Sequence, residues 1–219
     1  VQSNTIAASV SDVFNIEPYI IGIALVVLTA LIIFGGVHRI VQVTQVLVPV
    51  MAIFYLLVAL YVVLTNFTEI PGVFSLIFSE AFGLKEAAGG AIGIALMQGV
   101  RRGLFSNEAG MGSVPNAAAT ASTSHPAKQG LVQSLGVFFD TIIICSATAF
   151  IIILAGLYKT SGSDGIILTQ DSLAVHLGAW APYFIAIAII FFAFSSIVGN
   201  YYYGETNIQF ISTKKIYLY

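Results

Sequence analysis

The chain has 219 residues, of which 58% are hydrophobic and only 8% charged, with a mean hydropathy of +0.96. A soluble domain carries about 25% charge, so too few polar residues are available to cover a globular surface, and the composition predicts an integral membrane protein. A net charge of −2 gives no basis for nucleic-acid binding, and the single Cys145 excludes a disulfide within the chain and any Cys/His metal spacing.

The chain begins at Val1, without Met or a signal peptide. VQSNTIAASV reads as the tail of a helix already under way, so the expectation is a fragment of a longer chain. Residues 1–14 carry a polar face, Gln2, Ser3, Asn4, Thr5 and Ser9, which lipid would not tolerate and which is expected to turn onto protein or a cavity. Pro18 suits a first helical turn, and Tyr19–Phe34 follows without a charge, ending at Gly35 and Gly36. His38 and Arg39 are assigned to a short loop. An uncharged span covers Leu47–Thr65 and is expected to bend at Pro49, which membrane helices tolerate. Ile70–Phe82 is too short to cross a bilayer and reads as an interfacial or re-entrant helix. Asn66-Phe67-Thr68 fits a glycosylation sequon and is read as a chance match.

Ala91, Ala95, Gly99 and Gly103 recur at i, i+4 and predict a close helix–helix approach. They lead into QGVRRGLFSNEAGMGSVPN, residues 98–116. This stretch puts two arginines, a carboxylate, three amides, four glycines and a proline inside an apolar segment. Unpaired charges and backbone groups are costly in hydrocarbon, so the helix is predicted to break around Phe105–Ser113, its loose ends facing a small charged solute. Arg101, Arg102 and Glu108 have two readings: an internal ion pair that pins the break, or half-helix ends whose free N–H groups meet a carboxylate while freed carbonyls meet a cation or ammonium. Phe105 could close the pocket over the solute.

Ala117–Ala121 reads as a second half-helix, ended by Ser124-His125-Pro126, with His125 a loop residue. Gly130–Tyr158 is the fourth span. Its one charge, Asp140, shares a polar stripe with Gln133 and Thr148. Asp140 has three readings: a cation ligand, the partner of an arginine, or a proton carrier. Cys145 reads as a small core residue. Ile166–Gly178 is a short helix lying over the bundle, and Ala181–Tyr203 the last complete span, with another element beginning at Gly204-Glu205. In that span Ser195 and Ser196, with an upstream carbonyl such as that of Phe192, make an oxygen set that suits sodium. Such serines also bond back to their own backbone. Lys and Arg in the short loops predict that His38/Arg39, His125/Lys128 and Lys214/Lys215 face the cytoplasm. No Ser/His/Asp triad, HExxH motif or P-loop is present.

RGLFSNEAGMGSVPNAAA, HPAKQGLVQSLGVFFDTIIICSATAFIIILAG and FAFSSIVGNYYYGE resemble the alanine/glycine:cation symporter family, and the resemblance runs from Gln2 to about Phe210. It implies an all-α, polytopic membrane helical bundle: part of the inverted-repeat fold of the leucine transporter, with one broken helix. On that basis residues 1–219 form a single membrane domain, a fragment with about five complete transmembrane segments and partial helices at both ends. It implies sodium-coupled symport of a small neutral amino acid, alanine or glycine, by alternating access across the prokaryotic plasma membrane, with no enzymatic step and no cofactor beyond sodium as coupling ion. The partners are then the amino acid, sodium, the lipid bilayer and the missing N-terminal helices. The resemblance assigns the amino acid to Gln2, Phe105, Ser106, Asn107, Glu108, Ala109, Gly110 and Asn200. It assigns sodium to Ser195, Ser196 and the Phe192 carbonyl, and more loosely to Asp140. Asn200 stands where many members carry tryptophan. Two rivals remain: a channel or pore subunit for small cations, which needs an open polar lumen, and a membrane-embedded hydrolase using Glu108 or Asp140, which lacks a matched base or metal set.

Overall fold

The computed structural model describes residues 1–35, 37–82, 89–107 and 112–211. It is all-α, with no strand among the described residues. Among the described residues ten α-helices follow in order: α1 Gln2–Phe14, α2 Pro18–Gly35, α3 Val37–Thr65, α4 Ile70–Ala81, α5 Gly89–Ser106, α6 Ser113–Ala119, α7 Pro126–Phe138, α8 Ser146–Ala155, α9 Gly165–Leu177 and α10 Ala181–Ile211. A π-helical segment, Phe139–Cys145, joins α7 to α8 without a break. Among the described residues three helices are long and apolar enough to cross a membrane, Val48–Thr65, Pro126–Ala155 and Ala181–Ile211, and Pro18–Leu31 is a shorter apolar helix.

The chain divides into two compact units. One comprises Val1–Ala59 with Ile151–Tyr219, the other Leu60–Phe150.

The first unit is built on α1. Ile6 and Val10, one turn apart, meet Ile21 and Leu25 of α2 and Ala193 of α10 in a buried cluster. The i, i+4 spacing on α1 and α2 sets one apolar row against another, and the small Ala193 lets α10 come close, flanked by Ile189, Ile190 and Ile197. α1 stops at Asn15, whose left-handed backbone (φ 55°, ψ 38°) turns its N–H back to Ser11 O at 2.9 Å. α9 packs on α1 and α10 and buries Thr169, Gln170, Ser172 and Leu173. Gln170 is fully buried, and its Nε2 donates to Ser9 O at 3.3 Å and Pro182 O at 3.2 Å.

In the second unit α4 is the expected short helix, opened by a proline in its first turn, with Phe74 edge-on to Phe150 at 5.7 Å. His125 caps α7, its Nδ1 accepting from Ala127 N at 3.1 Å.

Four boundaries differ from the sequence reading, the first being the second half-helix, which is Ser113–Ala119 rather than Ala117–Ala121. His38 and Arg39 lie in the first turn of α3 rather than in a loop, since nothing in VHRI opposes helix. α10 runs through Gly204-Glu205 to Ile211 as one 31-residue helix, because a single glycine lowers helix propensity without ending a helix already stabilised by its neighbours. The fourth span begins at Pro126, four residues earlier than Gly130, and ends at Ala155 rather than Tyr158.

Candidate functional site

α5 ends at Ser106, and Asn107 closes its last turn with an N–H to Gly103 O at 3.1 Å. Helix resumes at Ser113, after Gly112 at φ 88° and ψ −6°. That backbone is strained for any residue with a Cβ, so glycine is needed there to set the start of α6. The described residues thus agree with the predicted interruption between Phe105 and Ser113. Glu108, Ala109 and Gly110 lie outside the described residues.

The end of α5 meets the π segment through side chains. Ser106 Oγ donates to Asp140 Oδ2 at 2.6 Å and lies 3.4 Å from Cys145 Sγ. Thr141 Oγ1 donates to Asn107 Oδ1 at 2.8 Å. The wider π turn explains the convergence. It bonds i to i+5, which brings Asp140 and Cys145, five positions apart, toward the same neighbour. Asp140 is half-buried, and its charge is met by a hydroxyl. Among the described residues it forms no ion pair with Arg101 or Arg102, both of which are exposed.

A cavity of about 170 Å³ opens beside this contact, lined by Ser106, Asn107, Val114, Gln133, Val137 and Asp140 among others. Its polar groups are a carboxylate, a hydroxyl and two amides; its walls are valines. Such a chamber can take a small solute bearing a positive group next to an apolar one. Phe105 is half exposed, at 51%.

The first unit carries the other assigned residues. Ser195 Oγ donates to Phe192 O at 2.8 Å and Ser196 Oγ to the same oxygen at 3.1 Å. Both serines are half-buried, and Asn200, one turn beyond Ser196, is exposed. The structure therefore gathers the two hydroxyls on one carbonyl, an arrangement that back-bonding alone explains and that also offers three oxygens to a hard cation. Gln2 is half-buried at the start of α1. Among the described residues no group of three or more His, Cys, Asp and Glu could hold a metal ion.

One feature went unread in the sequence and another was read only in part. Thr141 carried no signal beyond its place beside Asp140. Gln133 was legible only as part of a polar stripe, and the cavity gives that stripe a location.

A family model described as the sodium:alanine symporter family matches residues 1–219. The amino-acid carrier protein AlsT of Bacillus subtilis is 58% identical over 218 residues, covering 100% of this chain and 46% of that protein. The "Probable sodium/glutamine symporter GlnT" of the same organism is 54% identical, covering 100% of this chain and 46% of that protein. The sodium/alanine symporter AgcS of Methanococcus maripaludis is 42% identical, covering 100% of this chain and 49% of that protein. The chain spans about half the length of the curated relatives it matches.

Proposed function

Because the chain belongs to the sodium:alanine symporter family, a family of transporters rather than enzymes, we propose that it is part of a sodium-coupled symporter for a small neutral amino acid, alanine or glycine. The whole transporter works by alternating access as a multi-pass protein of the cell membrane, and its remaining helices complete the sites begun here.

The observation that carries this reading is the Ser106–Asp140 contact at the interrupted helix, beside the cavity. A carboxylate within a membrane span is costly unless its charge is met. A bound cation meets it, and the side-chain oxygens of Ser106 and Asn107, which line the same cavity, are hard ligands. The free N–H and C=O groups at helix ends suit the two charges of a zwitterion. The size agrees: a cavity of about 150 Å³ holds benzene, which has as many non-hydrogen atoms as alanine, and this one is about 170 Å³. Ser195, Ser196 and the Phe192 carbonyl form a second sodium site on α10. By the family resemblance the amino acid is also assigned to Gln2, Asn200 and Phe105, and to Ser106, Asn107, Glu108, Ala109 and Gly110. Coupling follows if each ligand stabilises the state that binds the other.

The test is counterflow of labelled alanine in liposomes holding the intact transporter, with and without a sodium gradient. Sodium-dependent accumulation is expected, and counterflow indifferent to sodium would overturn the coupling. The glutamine in one relative's name favours a second reading with a larger substrate, and unlabelled glutamine that competes better than alanine would establish it.

A further inference from the structure

α7 turns its apolar residues outward and its amides inward. Its only half-buried residues are Gln129 and Gln133; every other residue from Pro126 to Phe138 is exposed. The exposed set includes Leu131 at 72%, Val132 at 60%, Leu135 at 55% and Phe138 at 55%. The two glutamines lie one turn apart on one face, and Asp140 continues that face two turns beyond Gln133. Gln133 and Asp140 line the same cavity, and α7 packs on α6.

Among the described residues neither amide has a hydrogen-bond partner. An amide turned inward on a membrane helix has to be satisfied by protein or by water. Two in succession, leading from the capped end of α7 at His125 to a carboxylate-bearing cavity, form a polar track. An apolar stripe here would seal α7 against α6; glutamines hold water and hand a polar solute from one amide to the next.

We propose that Gln129 and Gln133 line a hydrated lane along α7, through which water and the transported solute pass between the loop at residues 120–125 and the Ser106–Asp140 cavity. That the solute is an amino acid rests on the transport reading; the lane itself rests on the burial of the two amides. Lys128 at the mouth of the lane is drawn aside by its bond to Ser124 Oγ at 2.7 Å, which keeps its charge off the track.

The test uses single cysteines in the intact transporter, reconstituted in vesicles and exposed to a membrane-impermeant cationic methanethiosulfonate. The wild-type protein's own labelling, Cys145 included, is the baseline. Gln129→Cys and Gln133→Cys are expected to label at least tenfold faster than Leu131→Cys and Leu135→Cys, and from the side that carries His125. Equal rates at all four positions, or faster labelling at the leucines, would overturn the lane. Gln129→Cys, a turn nearer the loop, gives the same readout if Gln133→Cys does not fold. The two readings fail separately: absence of sodium-dependent counterflow in the wild type defeats the transport reading, whereas the labelling pattern alone decides the lane.

Discussion

Ser106 and Asp140 stand 34 positions apart in the chain, one at the last turn of α5 and the other at the second residue of the π segment, and their side chains meet at 2.6 Å. The contact ties the edge of the helix interruption to the carboxylate within the long span that follows. A hydrogen bond to an ionised acceptor contributes about 1.5–3 kcal/mol. Ser106→Ala should therefore raise the sodium concentration for half-maximal alanine counterflow by roughly tenfold, which corresponds to about 1.4 kcal/mol. An unchanged sodium curve would show that the hydroxyl only shapes the apo state.

Asp140→Asn separates a cation ligand from an arginine partner. Removing one member of a buried ion pair costs about 3–5 kcal/mol, but among the described residues Asp140 touches a hydroxyl and no guanidinium. The variant is expected to express and melt like the wild type while needing much more sodium for uptake. A collapse in yield before any change in sodium dependence would show that the carboxylate holds the fold together.

The helical order, the short α4, the short α9 and the interruption after Ser106 were all legible in the sequence, because each is set by local chemistry: apolar run length, proline at a helix start, glycine at a left-handed turn. The Ser195–Ser196–Phe192 group was legible too, since i−3 and i−4 carbonyls are fixed by helix geometry. The π segment was not. FDTIIIC has no residue that favours the wider turn, and the extra residue is absorbed only because Asp140 and Thr141 find partners on α5 and in the turn after it. Contacts between residues so far apart in the chain have no local signature. The inward face of α7 was half legible: Gln133 and Asp140 shared a stripe, but which way it faced depended on packing.

On α10, Ser195 and Ser196 share one acceptor, Phe192 O, at 2.8 and 3.1 Å. Losing either hydroxyl leaves that carbonyl satisfied by the other, so stability should change little. Sodium binding would lose one of its three oxygens. Ser196→Ala is expected to shift sodium activation upward by roughly tenfold, about 1.4 kcal/mol, while competition among alanine, glycine and serine keeps its order. Normal sodium activation with normal maximal uptake would remove this site from the mechanism.

Gln170 joins α9 to α1 and α10 from a fully buried position. Gln170→Ala removes both hydrogen bonds and leaves a void, with an expected loss of roughly 2–4 kcal/mol. Thermal melting of the intact transporter in detergent should register it. The loss should appear without a change in the order of substrate competition, since Gln170 is not among the residues assigned to the amino acid or to sodium. A melting temperature at or above the wild-type value would mean that the unpartnered Gln170 Oε1 costs as much as the two bonds supply.

The π segment itself is open to a direct test. A π turn holds one residue more than the α turn it replaces, and Phe139–Cys145 is a single such stretch between two α-helices. Deleting Ile142, which is 55% exposed, removes the extra residue without emptying a core position and lets the helix run as α. The flanking α-helices keep their relative facing, since an α turn replaces a π turn that held one residue more. Only the turn between them tightens, which withdraws Asp140 and Cys145 from the spacing at which both reach Ser106. The shortened protein is expected to keep its helical content by circular dichroism and its yield, because the span remains long and apolar. Sodium-dependent counterflow should fall to background, and Cys145 should react with N-ethylmaleimide at a rate that no longer depends on Ser106→Ala. Retained transport would show that the π turn is incidental and that Asp140 reaches its partners by another route.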